Sequence, residues 1–226
     1  MLGKLTKDVQ CAGENTAKSV REQLTKFGVA KDIDDETLKE VGEKPELPVR
    51  PPVLCAGCPH RASFYAVKQA MKEKEAVFCG DIGCYTLGNA KPLDMTDTCL
   101  CMGADVTIAQ GLHRIEPEKV HFSFIGDSTF FASGITGVVN AVYNETDIVL
   151  IVLDNSTTAM TGHQPHPGTG VTMMDMVKKK DTNPKGEITH KISIEAVLKA
   201  VGVVSVEKVN PFELDKAIDA VKRAAQ

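Results

Sequence analysis

The sequence has no tryptophan and only three tyrosines among its 226 residues, so aliphatic side chains and eight phenylalanines must supply its core. It also lacks any excess of positive charge, with 26 basic against 30 acidic side chains and a formal charge of −4. That argues against a nucleic-acid module, which needs a basic face. No apolar run approaches the ~20 residues of a membrane span, the longest being the strand-length stretch 148–153. The first eighteen residues, MLGKLTKDVQCAGENTAK, lack the apolar stretch of a signal peptide. What remains is ordinary globular composition, 42% apolar and 25% charged, in a chain long enough to bury roughly 70% of its unfolded surface. These absences predict a soluble, cytoplasmic α/β enzyme or enzyme subunit, without nucleic-acid or membrane partners.

Cysteine, in contrast, is plentiful and unevenly placed. Six of the seven lie between Cys55 and Cys101, as Cys55-x-x-Cys58, Cys79, Cys84 and Cys99-x-Cys101, and none follows. An odd number in a chain of this size without a signal argues against a disulfide scaffold. Such crowding in a reducing compartment points to metal or cofactor chemistry, or else to small buried core residues. For Cys11 and Cys79 the core reading is the simpler one.

Residues 1–50 differ from the rest. They hold a polar helical stretch (15–27), an acidic segment and the proline-punctuated linker KPELPVRPP, which marks a connection between folded units. They read as a tail or the remnant of a preceding domain, with 51–226 as the domain proper. Beyond the linker, apolar spacing predicts helices at 62–74, 103–113, 130–143, 192–201 and 211–224. Strands are predicted at 76–79, 121–125, 148–153 and 203–209. The stretch IVLIVL at 148–153 is apolar on both faces, as a central parallel strand must be. Alternation of this kind predicts an α/β fold: a doubly wound, mostly parallel sheet with helices on both faces and ligands at the carboxyl ends of the strands.

Two strand ends carry the chemistry. One strand stops in Gly126-Asp127-Ser128 and the next in Asp154-Asn155. With one helix between them, right-handed crossover geometry brings Asp127 and Asn155 to the same sheet edge. A carboxylate, an amide oxygen and a backbone carbonyl beyond suit Mg²⁺, and a helix N-terminus after Ser128 suits an anion. The pattern predicts a Mg²⁺–diphosphate site, with Gly126 and Gly134 allowing close approach of backbone to ligand and of helix to sheet. A common βα turn with Asp127 as N-cap gives the same GDS.

The Asp127–Asn155 pairing resembles the thiamine diphosphate (ThDP) signature, and the resemblance extends further. Cys99-Leu100-Cys101-Met102-Gly103-Ala104 resembles the segment that places a bulky side chain, here Met102, beneath the bent cofactor. LCAGCPH, GDIGCYTLG and MTGHQPHPGTG are similar to the ThDP-binding domain of the 2-oxoacid:ferredoxin oxidoreductase family, most closely that of the indolepyruvate:ferredoxin oxidoreductase large subunit. The resemblance implies a Mg²⁺ held by Asp127, Asn155 and the carbonyl of Thr157. It implies a diphosphate held by backbone at Gly126, Asp127 and Ser128 and by Ala159 and Met160, with Ile82, Gly83, Cys84 and Tyr85 touching the cofactor from another strand end. Cys55, Cys58 and Cys84 would be ligands of a 4Fe–4S cluster, and His163 and His166 candidates for the substrate carboxylate. The implied activity is oxidative decarboxylation of a 2-oxo acid such as an aryl pyruvate, with electrons passing to ferredoxin and the acyl group to coenzyme A.

The sequence also departs from that family. A fourth cluster ligand is missing after Cys101, so Cys99 or Cys101 would have to substitute. Otherwise the cysteines line a pocket without metal, or Cys55, Cys58, Cys99 and Cys101 hold zinc. There is no pyrimidine-binding domain, which supplies the family's proton-relay glutamate, and no ferredoxin-like cysteine repeat. The expectation is a half-site, a fragment or one subunit of a split enzyme, that pairs with a pyrimidine-binding domain or subunit and forms an oligomer. No residue reads as the general base. Competing readings are the ThDP-binding domain of another 2-oxoacid oxidoreductase or of a non-oxidative decarboxylase, and a non-catalytic module binding cofactor or partner.

Overall fold

The computed structural model describes residues 3, 6–9, 12–31, 46–172 and 188–226, which fall in two compact units, Met1–Arg50 and Pro51–Gln226. Cys11 lies outside the described residues. In the first unit, helix α1 (Ala17–Lys26) is opened by reciprocal capping. Ser19 N–H donates to Thr16 Oγ1 at 3.1 Å and Thr16 N–H to Ser19 Oγ at 2.9 Å. The helix buries none of its residues.

The second unit begins with α2 (Pro59–Ala70), earlier than apolar spacing alone suggests, because Pro59 occupies the first turn where its missing N–H costs nothing. There follow β1 (Ala76–Gly80), a 3₁₀ turn (Cys84–Asn89), β2 (Thr98–Cys99), α3 (Ala104–Ile115) and β3 (Val120–Gly126). Helix α4 (Asp127–Thr129) runs through a π-helical turn (Phe130–Gly134) into α5 (Ile135–Tyr143), and β4 (Val149–Leu153), α6 (Ile194–Val201) and α7 (Leu214–Ala224) complete the order. The described strands form one parallel sheet in the order β2-β1-β3-β4.

Strand β3 is buried on both faces from its second residue onward, as a central parallel strand must be. Phe122 and Phe124 pack with Phe64 and Val67 of α2 and Val221 of α7. The Phe64 and Phe124 rings stand 4.8 Å apart, within the range of favourable aromatic pairs. On the opposite face, Ile125 packs with Val106 of α3, Val138 of α5 and Leu198 of α6. Helices therefore cover both faces, as the alternation predicts. Cys79 is wholly buried, matching its reading as a core residue. Among the described residues no helix is long and apolar enough to cross a membrane.

One strand prediction fails. Residues 203–209 form no ladder with β4. Val203 and Val206 pack inward against the α3–α5–α6 side while Val204 and Ser205 between them are exposed, a spacing of three rather than the two of a strand. A cavity of about 1270 Å³ lies between this segment and β4, lined in part by Ile151, Leu153, Val206 and Val209.

Candidate functional site at the strand ends

Register fixes the neighbours. Gly126 of β3 pairs with Leu153 of β4, so Asp127 faces Asp154 and Asn155 stands one residue on. Sequence spacing brought Asn155 to this edge but missed Asp154, although the LDN triplet contains it. Residue 126, not 127, is the helix N-cap. Asp127 instead takes the Ser128 N–H onto Oδ1 at 2.8 Å. Its other oxygen, Oδ2, is buried without an aligned hydrogen bond among the described residues. His166 Nε2 approaches that oxygen to 3.1 Å but off the hydrogen-bonding direction, so the contact is Coulombic. Gly168 N–H donates to His166 Nδ1 at 3.2 Å, which leaves Nε2 as the nitrogen that carries the proton toward Asp127.

The electrostatics are those of a site short of positive charge. Burial pushes the Asp127 carboxyl up, His166 pulls it down, and Asp154 raises it further. Burial also acts on Asp154, but the Ser156 hydroxyl and amide, at 3.0 and 2.9 Å, outweigh it and hold that carboxyl low. Two carboxylates side by side, one with a buried oxygen that no hydrogen bond satisfies, fit a hard divalent cation. Among the described residues no group of three or more His, Cys, Asp or Glu has metal-holding geometry, so a cation here would need further donors of another kind, such as the Asn155 amide oxygen and backbone carbonyls. Asn155 Oδ1 accepts the Thr157 N–H at 3.2 Å, which keeps Thr157 beside it. Thr158 Oγ1 donates to Ser128 Oγ at 2.8 Å, tying the loop bearing Ala159 and exposed Met160 to the start of α4.

The third strand end is organised by a residue that spacing did not single out. Asp81, wholly buried, follows β1, and its carboxylate accepts from the Tyr85 hydroxyl at 2.6 Å and the Gly103 N–H at 2.8 Å. The Tyr85 hydroxyl also lies 3.3 Å from Thr129 Oγ1. Burial and the bond to Asp81 drive the phenol pKa up, so Tyr85 stays neutral. A side-chain carbon on Gly83 would lie 2.5 Å from the Tyr85 ring, and one on Gly126 would lie 2.6 Å from it. Gly126 is therefore glycine because of Tyr85, while a side chain on Gly134 would strike Ile125 in the sheet below, as the expected close approach of helix to sheet requires. Ile82, Gly83 and Cys84 are half-buried around this turn, whereas the Tyr85 ring is turned into the core.

Met102 is about half exposed, at 53%, and directly precedes Gly103, whose φ of +81° needs a residue without a side chain. Of the two candidate histidines, His163 is exposed and His166 is buried against Asp127. Cys84 senses its surroundings through burial first and then through the Cys58 and Cys55 thiols, all of which raise its pKa. Those three thiols thus share one neighbourhood, with Cys55 exposed and the others half-buried. Cys99 Sγ lies 3.7 Å from the Asp81 carbonyl, and Cys101 is exposed.

Residues 81–226 match the model of the thiamine pyrophosphate enzyme family, C-terminal TPP binding domain. The chain belongs to this family. It is 48% identical over 180 residues to the indolepyruvate oxidoreductase subunit IorA of Archaeoglobus fulgidus, covering 79% of this chain and 27% of that protein. It is 38% identical over 229 residues to the IorA of Thermococcus kodakarensis, covering 94% and 33%. The 2-oxoglutarate synthase subunit KorB of A. fulgidus is 29% identical over 175 residues, covering 74% and 63%. The chain thus spans 27–33% of the length of these IorA relatives. Among solved structures, a 2-oxoglutarate:ferredoxin oxidoreductase from Magnetococcus marinus superposes with a TM-score of 0.62 at 19% identity, over 78% of this chain and 60% of that one. The two share the α/β fold.

Proposed function

We propose that this chain is the diphosphate-binding part of an oxidative 2-oxo acid decarboxylase, with an aryl pyruvate such as indolepyruvate as substrate. The observation that carries the reading is the buried Asp127 Oδ2, without a hydrogen bond among the described residues, beside Asp154 at adjoining strand ends. Asp127, Asn155 and the Thr157 carbonyl would hold Mg²⁺, and the backbone at Gly126, Asp127 and Ser128, with Ala159 and Met160, would hold the diphosphate. His166, 3.1 Å from Asp127 Oδ2, would give up that contact to the metal and remain a candidate for the substrate carboxylate. Met102 would support the cofactor, with Ile82, Gly83 and Cys84 as its wall, and His163 is the solvent-open candidate for the substrate carboxylate. When bound, ThDP supplies the electron sink that lets carbon dioxide leave. The names of the IorA relatives support indolepyruvate as substrate, and the Magnetococcus structure, which holds coenzyme A and succinyl-CoA, supports coenzyme A as acyl acceptor. A ferredoxin-type protein would take the electrons. Cys55, Cys58 and Cys84 would supply three of the four thiolates of a 4Fe–4S cluster, which would require them to draw closer than they stand here, where they form no metal-holding group; the fourth would come from elsewhere. A pyrimidine-binding domain or subunit would complete the site in a cytoplasmic oligomer.

The test is anaerobic calorimetry of ThDP with and without Mg²⁺, on the chain alone and with a pyrimidine-domain partner. Binding that requires Mg²⁺ and tightens with the partner is expected, and Asp127→Ala should abolish it. Unchanged Mg²⁺ dependence in Asp127→Ala would remove the anchor assignment.

A further inference from the structure

The Met102–Gly103 peptide is held from both sides. Its N–H donates to Asp81 Oδ1 at 2.8 Å, and its carbonyl accepts from Ser133 Oγ, in the π-helical turn, at 3.4 Å. A peptide is planar and stiff, so fixing both polar ends fixes where the Met102 Cα sits. Asp81 is itself pinned: its N–H donates to the Phe124 carbonyl at 3.1 Å, and its carbonyl accepts the Thr86 hydroxyl at 2.9 Å. Burying a carboxylate with no exposure is costly unless it is fully hydrogen-bonded. Here the donors are a tyrosine hydroxyl and a backbone N–H from separate chain segments. Through the Tyr85 ring, lodged against Gly83 and Gly126, and its hydroxyl beside Thr129, the same group reaches the helix start that bears Asp127.

We propose that Asp81, acting with Tyr85, is a positioning residue that sets the Met102–Gly103 turn against the β1 and β3 strand ends and so gives the cofactor site its floor. The proposal rests on the reading of these strand ends as a ThDP site. Asp81 touches neither metal nor diphosphate donors. Its loss should therefore weaken recognition of the whole cofactor while sparing recognition of the diphosphate.

The experiment uses the full chain carrying methyl-labelled methionine, with Asp81→Ala and Tyr85→Phe. Three quantities are read: amide exchange at Gly103 without ligand, the Met102 methyl signal (assigned with Met102→Leu) on adding Mg²⁺–ThDP, and affinities for Mg²⁺–ThDP and Mg²⁺–pyrophosphate. In Asp81→Ala, Gly103 exchange should rise at least about tenfold, as expected for a lost bond to a charged acceptor. The ThDP-induced Met102 shift should vanish, and ThDP affinity should fall about tenfold while pyrophosphate affinity changes less than about twofold. Tyr85→Phe keeps the ring and removes only the hydroxyl, so it should show the same split at about threefold; it decides the matter if the alanine variant does not fold. Unchanged Gly103 exchange, or ThDP and pyrophosphate affinities falling together, overturns the proposal alone. A wild-type chain that binds pyrophosphate but not ThDP, or neither, overturns the cofactor reading and the proposal with it.

Discussion

At the scale of single residues, buried carboxylates set the chemistry of this domain. Asp105, in the first turn of α3, is wholly buried, touches the Ser123 hydroxyl, and has one oxygen without a hydrogen bond among the described residues. Burial, reinforced by the charge of Asp81 and only partly offset by Ser123, raises its pKa to about 7. The folded chain keeps this proton in a range where the unfolded chain, with a pKa of 3.8, has released it. Native protein therefore binds more protons between those two values, and stability falls as pH rises from about 4 to about 7, then levels off. The limiting slope for one such group is about 1.4 kcal/mol per pH unit. Denaturant unfolding across that window should show the decline, and Asp105→Asn, which keeps the acceptor for Ser123, should flatten it; an identical slope in the variant would assign the effect to other groups. The tyrosine wedge gives a second expectation. Gly126→Ala should cost about 1–3 kcal/mol through overpacking, and Tyr85→Ala in the same chain should recover part of that loss, read as a coupling energy in a double-mutant cycle. Additive losses would mean that the ring does not oppose a side chain at 126.

At the scale of elements, the helices and strands were legible because their apolar spacing reports directly on burial: the two-sided apolar run at 148–153 marks β4, although it reads as a central strand and ends the described ladder, where β3 is central instead. What spacing does not report is pairing, which is why the valine-rich stretch 203–209 reads as a strand yet does not join the ladder. Nor does it report register: Asp154 faces Asp127 through the Gly126–Leu153 pairing, and one strand's sequence does not contain that fact. Asp81 stayed hidden for a related reason, since its partners, Tyr85 and Gly103, meet only after β1 and α3 are in place. The edge position of β4 has a measurable consequence. Strands β1 and β3 are flanked on both sides, while β4 is paired on one side only among the described residues. Amide exchange should be slowest in β1 and β3 and faster in 149–153, because local opening there breaks fewer bonds. Equal protection along β3 and β4 would indicate that 203–209 closes onto the edge in solution.

At the scale of the whole molecule, the two faces of the sheet are completed by elements of very different sequence distance. On one side, α3 and α5 follow one another within a few dozen residues. On the other, α2 at the beginning of the second unit packs with α7 near its end, and Lys74 Nζ donates to the Ala225 carbonyl at 2.9 Å across 151 positions. Contacts this remote slow folding, because a long loop must close before they form. They also impose an order in time. At typical rates of synthesis, roughly 5–20 residues per second, α2 leaves the ribosome about 8–30 s before α7 does. Throughout that interval the side of α2 that α7 will cover has no native partner, so the early helix of this unit stays bare there until its late one has been made.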